Sequence, residues 1–343
     1  MFKPKYQITD QQLSWLSDIA EIRAKIAQLQ LSPVRETLLR RRAVIKIAHS
    51  STSIEGNGLS EQEVEKLASK SPIVAPAKDQ LEVNNYFAAL DALEKFIKKP
   101  GITMATILEL HGIVMQGLLP AGKAGQLRAG PVYIVNTRPG YPDRVIYTPP
   151  PAEVVTPLLQ DLLAWHNQAK SVHPIIRASI LHYQFESIHP FPDGNGRVGR
   201  LLALLSLYQN SWDFRRGLVL EEYYNLDRRA YYLALQAGRN NLTDWLSYFV
   251  EGFWVEALRL QESTLSLISG GGALTGRTLD SADLKIIDFA LSLGKISSRD
   301  ASDILSLPLR TAQYRLTRLV KYRILKKLGS GPATVYLLRH AKE

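Results

Sequence analysis

Apolar residues recur along most of this chain at the three-to-four spacing of a helix. Asp10–Gln30 carries one such stripe, and Ser32-Pro33 then supplies an N-cap and a first-turn proline for a helix running to about His49. Ser60 with Glu63 makes a capping box for the next helix. Gly101–Leu119 and Pro151–Gln168 read as two more amphipathic helices. Ile176–Ile188 is another, followed after a loop by the strongly apolar Leu201–Tyr208. Period-two alternation is clear in one place. Pro131-Val132-Tyr133-Ile134-Val135 and Arg144-Val145-Ile146-Tyr147 flank a Pro-Gly turn and predict a β-hairpin. No internal repeat is visible, so the pattern predicts a mainly α fold with one hairpin.

The pattern breaks at Ser269–Gly276, where three consecutive glycines forfeit too much backbone entropy to lie inside a helix. A linker is expected at 269–280. It divides a helical N-terminal region (1–98) and a core (99–268) from a small unit at 281–343. That unit reads as helices over Asp283–Leu293, Ser298–Leu305 and Leu309–Arg323. Strands at Ile324–Leu328 and Thr334–Leu338 follow, in the outline of a winged helix-turn-helix. On its third helix Ala312, Leu316, Leu319 and Val320 form the stripe to be buried. Arg310, Tyr314, Arg318 and Lys321 are left on the other side, a face suited to phosphates or guanine edges in a DNA major groove. Such units also serve as dimerisation or protein-docking modules.

Composition narrows the classes. At 45% hydrophobic and 22% charged, the 343 residues are neither disordered nor collagenous, and the length suggests about two domains. The absence of cysteine excludes disulfides, a thiolate nucleophile and cysteine-ligated metal. Leu201–Tyr208, the greasiest run, is far short of the roughly 20 residues that cross a bilayer, and the N-terminus lacks an apolar targeting segment. A cytoplasmic protein without a membrane partner is expected. The formal charge is +10, with 12 Lys and Arg against 5 Asp and Glu in Ser281–Glu343, so the basic excess sits mostly in the small C-terminal unit.

The densest chemistry is His189-Pro-Phe-Pro-Asp193-Gly194-Asn195-Gly196-Arg197-Val-Gly-Arg200, between two helices. The prolines stop the first helix, and the glycines let backbone approach a ligand. Amides of Gly194, Asn195 and Gly196 at the start of the second helix make an anion site, to which Arg197 and Arg200 add cationic forks on one face. Asp193 is the group type that holds a Mg2+ bridging phosphate oxygens. His189, with an ordinary pKa near 6.5, is able to take a proton from an attacking hydroxyl. Anion hole, metal ligand and base within twelve residues specify phosphoryl or nucleotidyl transfer. Gly194–Gly199 also matches GxGxxG, but Pro-Phe-Pro in place of a strand rejects a dinucleotide fold. No GxxxxGK[ST] occurs, and His182 with His189 lacks a further carboxylate at metal-ligand spacing.

At these residues the chain resembles the Fic family, whose motif HxFx[D/E]GNGRxxR is matched at every specified position. The resemblance runs over roughly Ala43–Phe253 and takes in the hairpin, which Fic proteins use as a flap. It implies a Fic-type helical core, a winged helix following as in a known bacterial subgroup, and transfer of AMP from ATP to a Ser, Thr or Tyr hydroxyl of a protein, with release of pyrophosphate. Carried over, His189 is the base and Asp193 the Mg2+ ligand. Gly194, Asn195 and Gly196 form the anion hole, while Arg197 contacts the phosphates and Arg200 grips the γ-phosphate. Val132, Tyr133, Ile134 and Val135 belong to the flap whose edge pairs with the target, and Tyr232 lines the adenine pocket. Seven residues on, where some members have an asparagine for the base edge, stand Arg239, Asn240 and Asn241. Ser51-Thr-Ser-Ile-Glu55-Gly56 matches the family's inhibitory pattern. A carboxylate at Glu55 paired with Arg200 would occupy the guanidinium that the γ-phosphate requires.

The sequence therefore points to an autoinhibited, Mg2+-dependent protein adenylyltransferase. Its partner is a protein with a hydroxyl side chain, and the chain itself is an alternative target. The second hypothesis is a DNA-binding regulator whose Fic domain senses nucleotide. A third keeps the fold and changes the donor. Removal of AMP from targets, a homodimer, and inhibition within or between chains are all compatible with the sequence.

Overall fold

The computed structural model describes residues 2–31, 33–136, 144–269, 280–293, 295–322, 324–331 and 334–338. In chain order the helices up to the hairpin are α1 (Asp10–Gln28), α2 (Pro33–Ile54), α3 (Glu61–Ala68), α4 (Ala77–Ile97) and α5 (Met104–Val114). The hairpin is β1 (Ile134–Asn136) and β2 (Arg144–Tyr147), and α6 (Val155–Gln168), α7 (Pro174–Ile188) and α8 (Asn195–Gln209) follow it. Next come α9 (Leu220–Leu226), α10 (Arg228–Ala237) and α11 (Leu242–Ser269). The C-terminal unit holds α12 (Ser281–Leu293), β3 (Ile296–Ser297), α13 (Ser298–Leu305), α14 (Leu309–Lys321), β4 (Leu325–Leu328) and β5 (Val335–Leu338).

Local chemistry sets several boundaries. Thr9 with Gln12 and Ser60 with Glu63 close reciprocal capping boxes that start α1 and α3. Pro174 occupies the first turn of α7, where its missing N–H costs nothing. α2 continues past His49 to Ile54, so Ser51 is helical. Gly56, at φ +95°, turns the chain immediately after Glu55, where a side chain would be strained. α5 is shorter than its apolar pattern at both ends, starting at Met104 after the Thr103 cap and ending at Val114.

α7 and α8 are the centre of the molecule. Their connection brings them side by side, and the two hydrophobic cores lie on either side of the pair. One core gathers Val83, Tyr86, Leu110, Leu159, Phe185, Val198 and Leu202; the other gathers Ile19, Ile22, Ile176, Ile180, Tyr231, Trp245 and Phe253. α7, expected to be amphipathic, is buried on nearly every side, and even Arg177, Ser179 and His182 are inside. A helix covered all round needs no polar face. α8 is covered likewise, which is how Arg197 and Arg200 come to be buried.

β1 and β2 pair antiparallel, Asn136 opposite Arg144 and Ile134 opposite Tyr147, with an irregularity beside Ile134. The expected Pro-Gly turn at 137–143 lies outside the described residues, as does the expected linker from 270 to 279. In the C-terminal unit the expected helices and two strands are found, with β3 added. The sheet order is β3-β5-β4, around Ile286, Ala301, Ala312, Leu316 and Leu319. One expectation is corrected. Arg318 is not on the open face of α14, because Asp283 of α12 is fully buried and draws the Arg318 and Arg315 guanidinium groups onto it. Arg310, Tyr314 and Lys321 do stand in the open.

Leu201, wholly buried on α8, and Leu233, about half exposed on α10, separate packing from composition. Leu201→Ala is expected to lower stability by about 2–5 kcal/mol. Leu233→Ala should change it by less than about 0.5 kcal/mol. Urea unfolding of both variants checks this difference.

Candidate functional site

The turn between α7 and α8 is held by its own residues. His189 ends α7 in the left-handed region at φ +50°, and Gly194 opens α8 at φ +81°. Between them the Asn195 side chain accepts from Phe191 N (2.9 Å) and donates to Phe191 O (2.8 Å), closing the loop on itself. His111, reached by α5, lies flat on the Phe191 ring at 3.6 Å. Gly125 N donates to His111 Nδ1 (2.8 Å), so Nε2 carries the proton and donates to Asp193 O at 3.1 Å. Asn195 is thus a brace through its side chain. Gly194 contributes less than expected, since its amide donates to Asp193 Oδ1 at 2.5 Å.

Arg200 is almost wholly enclosed. Its Nε donates to Ser51 Oγ (2.8 Å), and its Nη2 donates to Ser51 O (2.9 Å) and Glu55 Oε1 (2.7 Å). The end of α2 therefore delivers all three acceptors. Ser51 and Glu55 stand four residues apart, so they share a face of the helix end. Gly196, on the first turn of α8, faces the same carboxylate. A Cβ there would overlap Glu55 Oε1, so a side chain at 196 would displace the Glu55 carboxylate from its place against Arg200. Arg197 lies between Asp193 (3.2 Å) and Glu82 of α4 (3.5 Å). Among the described residues, Arg200 Nη1 and Arg197 Nε have no acceptor.

His189 faces a cleft of about 290 Å³ lined also by Glu55, Glu186, Gly196, Arg200, Tyr231, Tyr232, Leu235, Gln236, Arg239 and the hairpin residues Tyr133 and Ile134. Burial pushes the His189 imidazole down to about 4, so it is neutral and able to accept a proton. Glu186, one turn earlier, has Oε2 3.9 Å from His189 Nδ1, and burial raises its carboxyl to about 8. Tyr232 is partly open, its hydroxyl donating to Ile54 O at 3.4 Å. Val132 and Val135 lie on the hairpin beside Tyr133 and Ile134 but do not line the cleft. Arg239 is committed to the hairpin, its guanidinium 3.6 Å over the Tyr147 ring and its Nη1 donating to Ile146 O at 3.2 Å. Asp193 keeps an open side chain at the rim, 59% exposed.

Several residues here were not legible in the sequence. Glu186 carried the only usable signal, since it lies at i−3 from His189 on a helix. Glu82, His111 and Arg128 come from separate elements with no motif of their own.

Residues 101–207 match the Fic/DOC family. The chain is 30% identical over 206 residues to the protein adenylyltransferases fic-1 of Caenorhabditis briggsae and Caenorhabditis elegans, covering 57% of this chain and 38% of each relative. It is 31% identical over 168 residues to the protein adenylyltransferase Fic of Aedes aegypti, covering 47% of this chain and 31% of that protein. The chain thus spans well under half the length of these relatives. Among solved structures, a Fic family protein from Desulfovibrio desulfuricans G20 superposes with a TM-score of 0.67 at 26% identity over 98% of both chains. Fic-1 of Caenorhabditis elegans does so with a TM-score of 0.61 at 26% identity over 74% of this chain and 73% of that one.

The buried ionisable groups set a pH dependence. His182 is held at about 3, and His111, His166 and His189 at about 4, all by burial. The unfolded chain binds protons at these positions below about 6.5, so stability rises with pH up to that point. Burial holds Glu186 at about 8 and Glu221 and Glu256 at about 7. Here the folded chain keeps protons that the unfolded chain releases above about 4.5, so these carboxyls lower stability as pH rises toward 8. Above about pH 7.5, where the unfolded imidazoles have released nearly all their protons, the carboxyls dominate. Denaturant midpoints should fall between about pH 7.5 and 8.5, and Glu186→Gln should flatten that fall; an unchanged slope in the variant would refute the assignment.

Proposed function

We infer, from the Fic/DOC domain that this chain carries, that it transfers AMP from ATP to a Ser, Thr or Tyr hydroxyl of a protein, with release of pyrophosphate, and that Glu55 restrains the transfer. The observation that carries this inference is Arg200, a buried guanidinium whose bound partner is a carboxylate delivered from another helix and whose Nη1 still lacks an acceptor. An anion is needed there, and Glu55 supplies one in the resting chain.

The unpaired nitrogens of Arg197 and Arg200, with the first amides of α8, fit a polyphosphate. Asp193 fits magnesium, since its carboxylate is at the open rim and a bound Mg2+ typically takes only one or two protein carboxylates. When bound, the ion neutralises phosphate charge. In transfer, His189 takes the proton of the target hydroxyl. That oxygen bonds the α-phosphorus, the bond to the bridging oxygen breaks, and pyrophosphate leaves. Tyr232, Leu235 and Gln236 lie where the nucleoside enters the cleft. Edge residues Val132, Tyr133, Ile134 and Val135 receive the target backbone by strand addition. With Glu55 on Arg200 the γ-phosphate loses its seat, so ATP lies with its α-phosphate out of line.

The chain divides in this account into 1–98, the core 99–268, the linker 269–280 and a winged helix-turn-helix at 281–343. The helix and strand order of the C-terminal unit supports that architecture. Because Arg318 is held by Asp283, the DNA-binding regulator loses one of its four contacts and is not the preferred function.

Intact mass spectrometry after incubation with Mg-ATP tests the proposal without knowledge of the target, because the chain serves as its own acceptor. Glu55→Gly is expected to gain an AMP-sized mass at least tenfold faster than wild type, and the double variant with His189→Ala to gain none. Equal incorporation in Glu55→Gly with and without His189 would overturn the assignment.

A further inference from the structure

The carbonyls at the end of a helix have no partners within it. In α7 these are the carbonyls around His189, and one side chain from outside collects them. Arg128, in the segment before the hairpin, is buried. Its Nε donates to His189 O at 2.8 Å, its Nη2 to Ile188 O at 3.4 Å, and its own amide to Pro190 O at 3.0 Å. The same guanidinium reaches both stems of the hairpin, with Nη1 donating to Gly130 O at 3.0 Å and Nη2 to Pro150 O. Tyr147 on β2 adds the preceding carbonyl, donating from Oη to Ser187 O at 2.7 Å.

Every one of these acceptors is a backbone carbonyl. Among the described residues none of its hydrogen bonds ends on a carboxylate, and Glu153 acts on it only through its charge, so the directions of its hydrogen bonds are set by backbone carbonyls. A planar fork satisfies acceptors in several directions at once, and no other side chain does so. His189 stands in a left-handed conformation that a non-glycine residue adopts only when its surroundings hold it there.

We propose that Arg128 is a positioning residue that locks the hairpin to the His189 turn, so that the backbone receiving the target and the imidazole receiving its proton keep a fixed separation. This rests on the transferase function proposed above. Arg128 touches neither phosphate-binding arginine in the contacts described, so nucleotide affinity is separable from transfer. Reacting groups displaced by about 1 Å lose on the order of a hundredfold in rate.

The test uses full-length Glu55→Gly protein with and without Arg128→Lys, which keeps the charge and loses the fork, and Arg128→Ala as a second variant. Arg128→Lys is expected to lower the rate of AMP incorporation at saturating Mg-ATP by tenfold to a hundredfold, with the ATP dissociation constant within about twofold of the parent. Backbone amides of 130, 132–136 and 144–148 should exchange hydrogen at least tenfold faster, while α8 stays protected. In Arg128→Ala, added guanidinium ion at millimolar concentration should restore part of the rate, and sodium chloride should not. Unchanged hairpin exchange in both variants, or loss of ATP affinity in proportion to rate, would overturn the proposal. If the Glu55→Gly parent itself transfers nothing, the transferase assignment fails, whereas the exchange measurement still decides whether Arg128 locks the hairpin to the turn.

Discussion

A guanidinium removed from water needs acceptors, and the way α2 meets Arg200 follows from that requirement, with Nη1 alone left open among the described residues. A buried charge left unpaired is among the most destabilising features a fold can contain. Here α2 answers it with a hydroxyl, a carbonyl and a carboxylate from a single helix end. The contact fixes where α2 meets α8, and it accounts for the glycine at 196, which no other residue could replace without displacing Glu55. Glu55 is the only one of the three acceptors carrying charge, and it lines the cleft, which is why the function proposed above makes it the one that a phosphate displaces.

The cleft is consequently assembled from two kinds of contact with different purposes. On the side proposed for phosphate, charge is concentrated and partly unsatisfied, with Arg197 between Glu82 and Asp193 and Arg200 against Glu55. On the side proposed for the target, the donors Arg128, Tyr147 and Arg239 all end on backbone carbonyls rather than on carboxylates. The first arrangement is able to exchange one anion for another. The second resists displacement, since losing Arg128 or Tyr147 would leave a part-buried carbonyl unpaired. His189 belongs to both, with its carbonyl accepting from Arg128 and its imidazole, neutral through burial, at the cleft.

How much of this was legible beforehand differs by residue. The turn from His189 to Arg200 was readable because prolines, glycines and charges at fixed spacing each have a local consequence. The hairpin was readable from alternation, and the helices of the C-terminal unit to within a few residues. Arg318 was misplaced because helical periodicity finds the face of a helix but not the buried Asp283 on another element that draws the side chain inward. α7 was read as amphipathic because its few polar residues look solvated in sequence, whereas Arg177 and His182 find partners in Asn210 and Tyr231. Arg128 carried no signal at all, since its acceptors are backbone groups, which every residue possesses and no pattern marks.

The central claim is that Glu55 and the terminal phosphate compete for one guanidinium. A crystal structure of Glu55→Gly protein with Mg2+ and a non-hydrolysable ATP analogue tests it most directly, compared with wild type under the same conditions. The account predicts a γ-phosphate oxygen within hydrogen-bond distance of Arg200 in the variant and Glu55 retained there in wild type. A triphosphate that leaves Arg200 untouched in the variant, or that contacts it in wild type with Glu55 still in place, would contradict it.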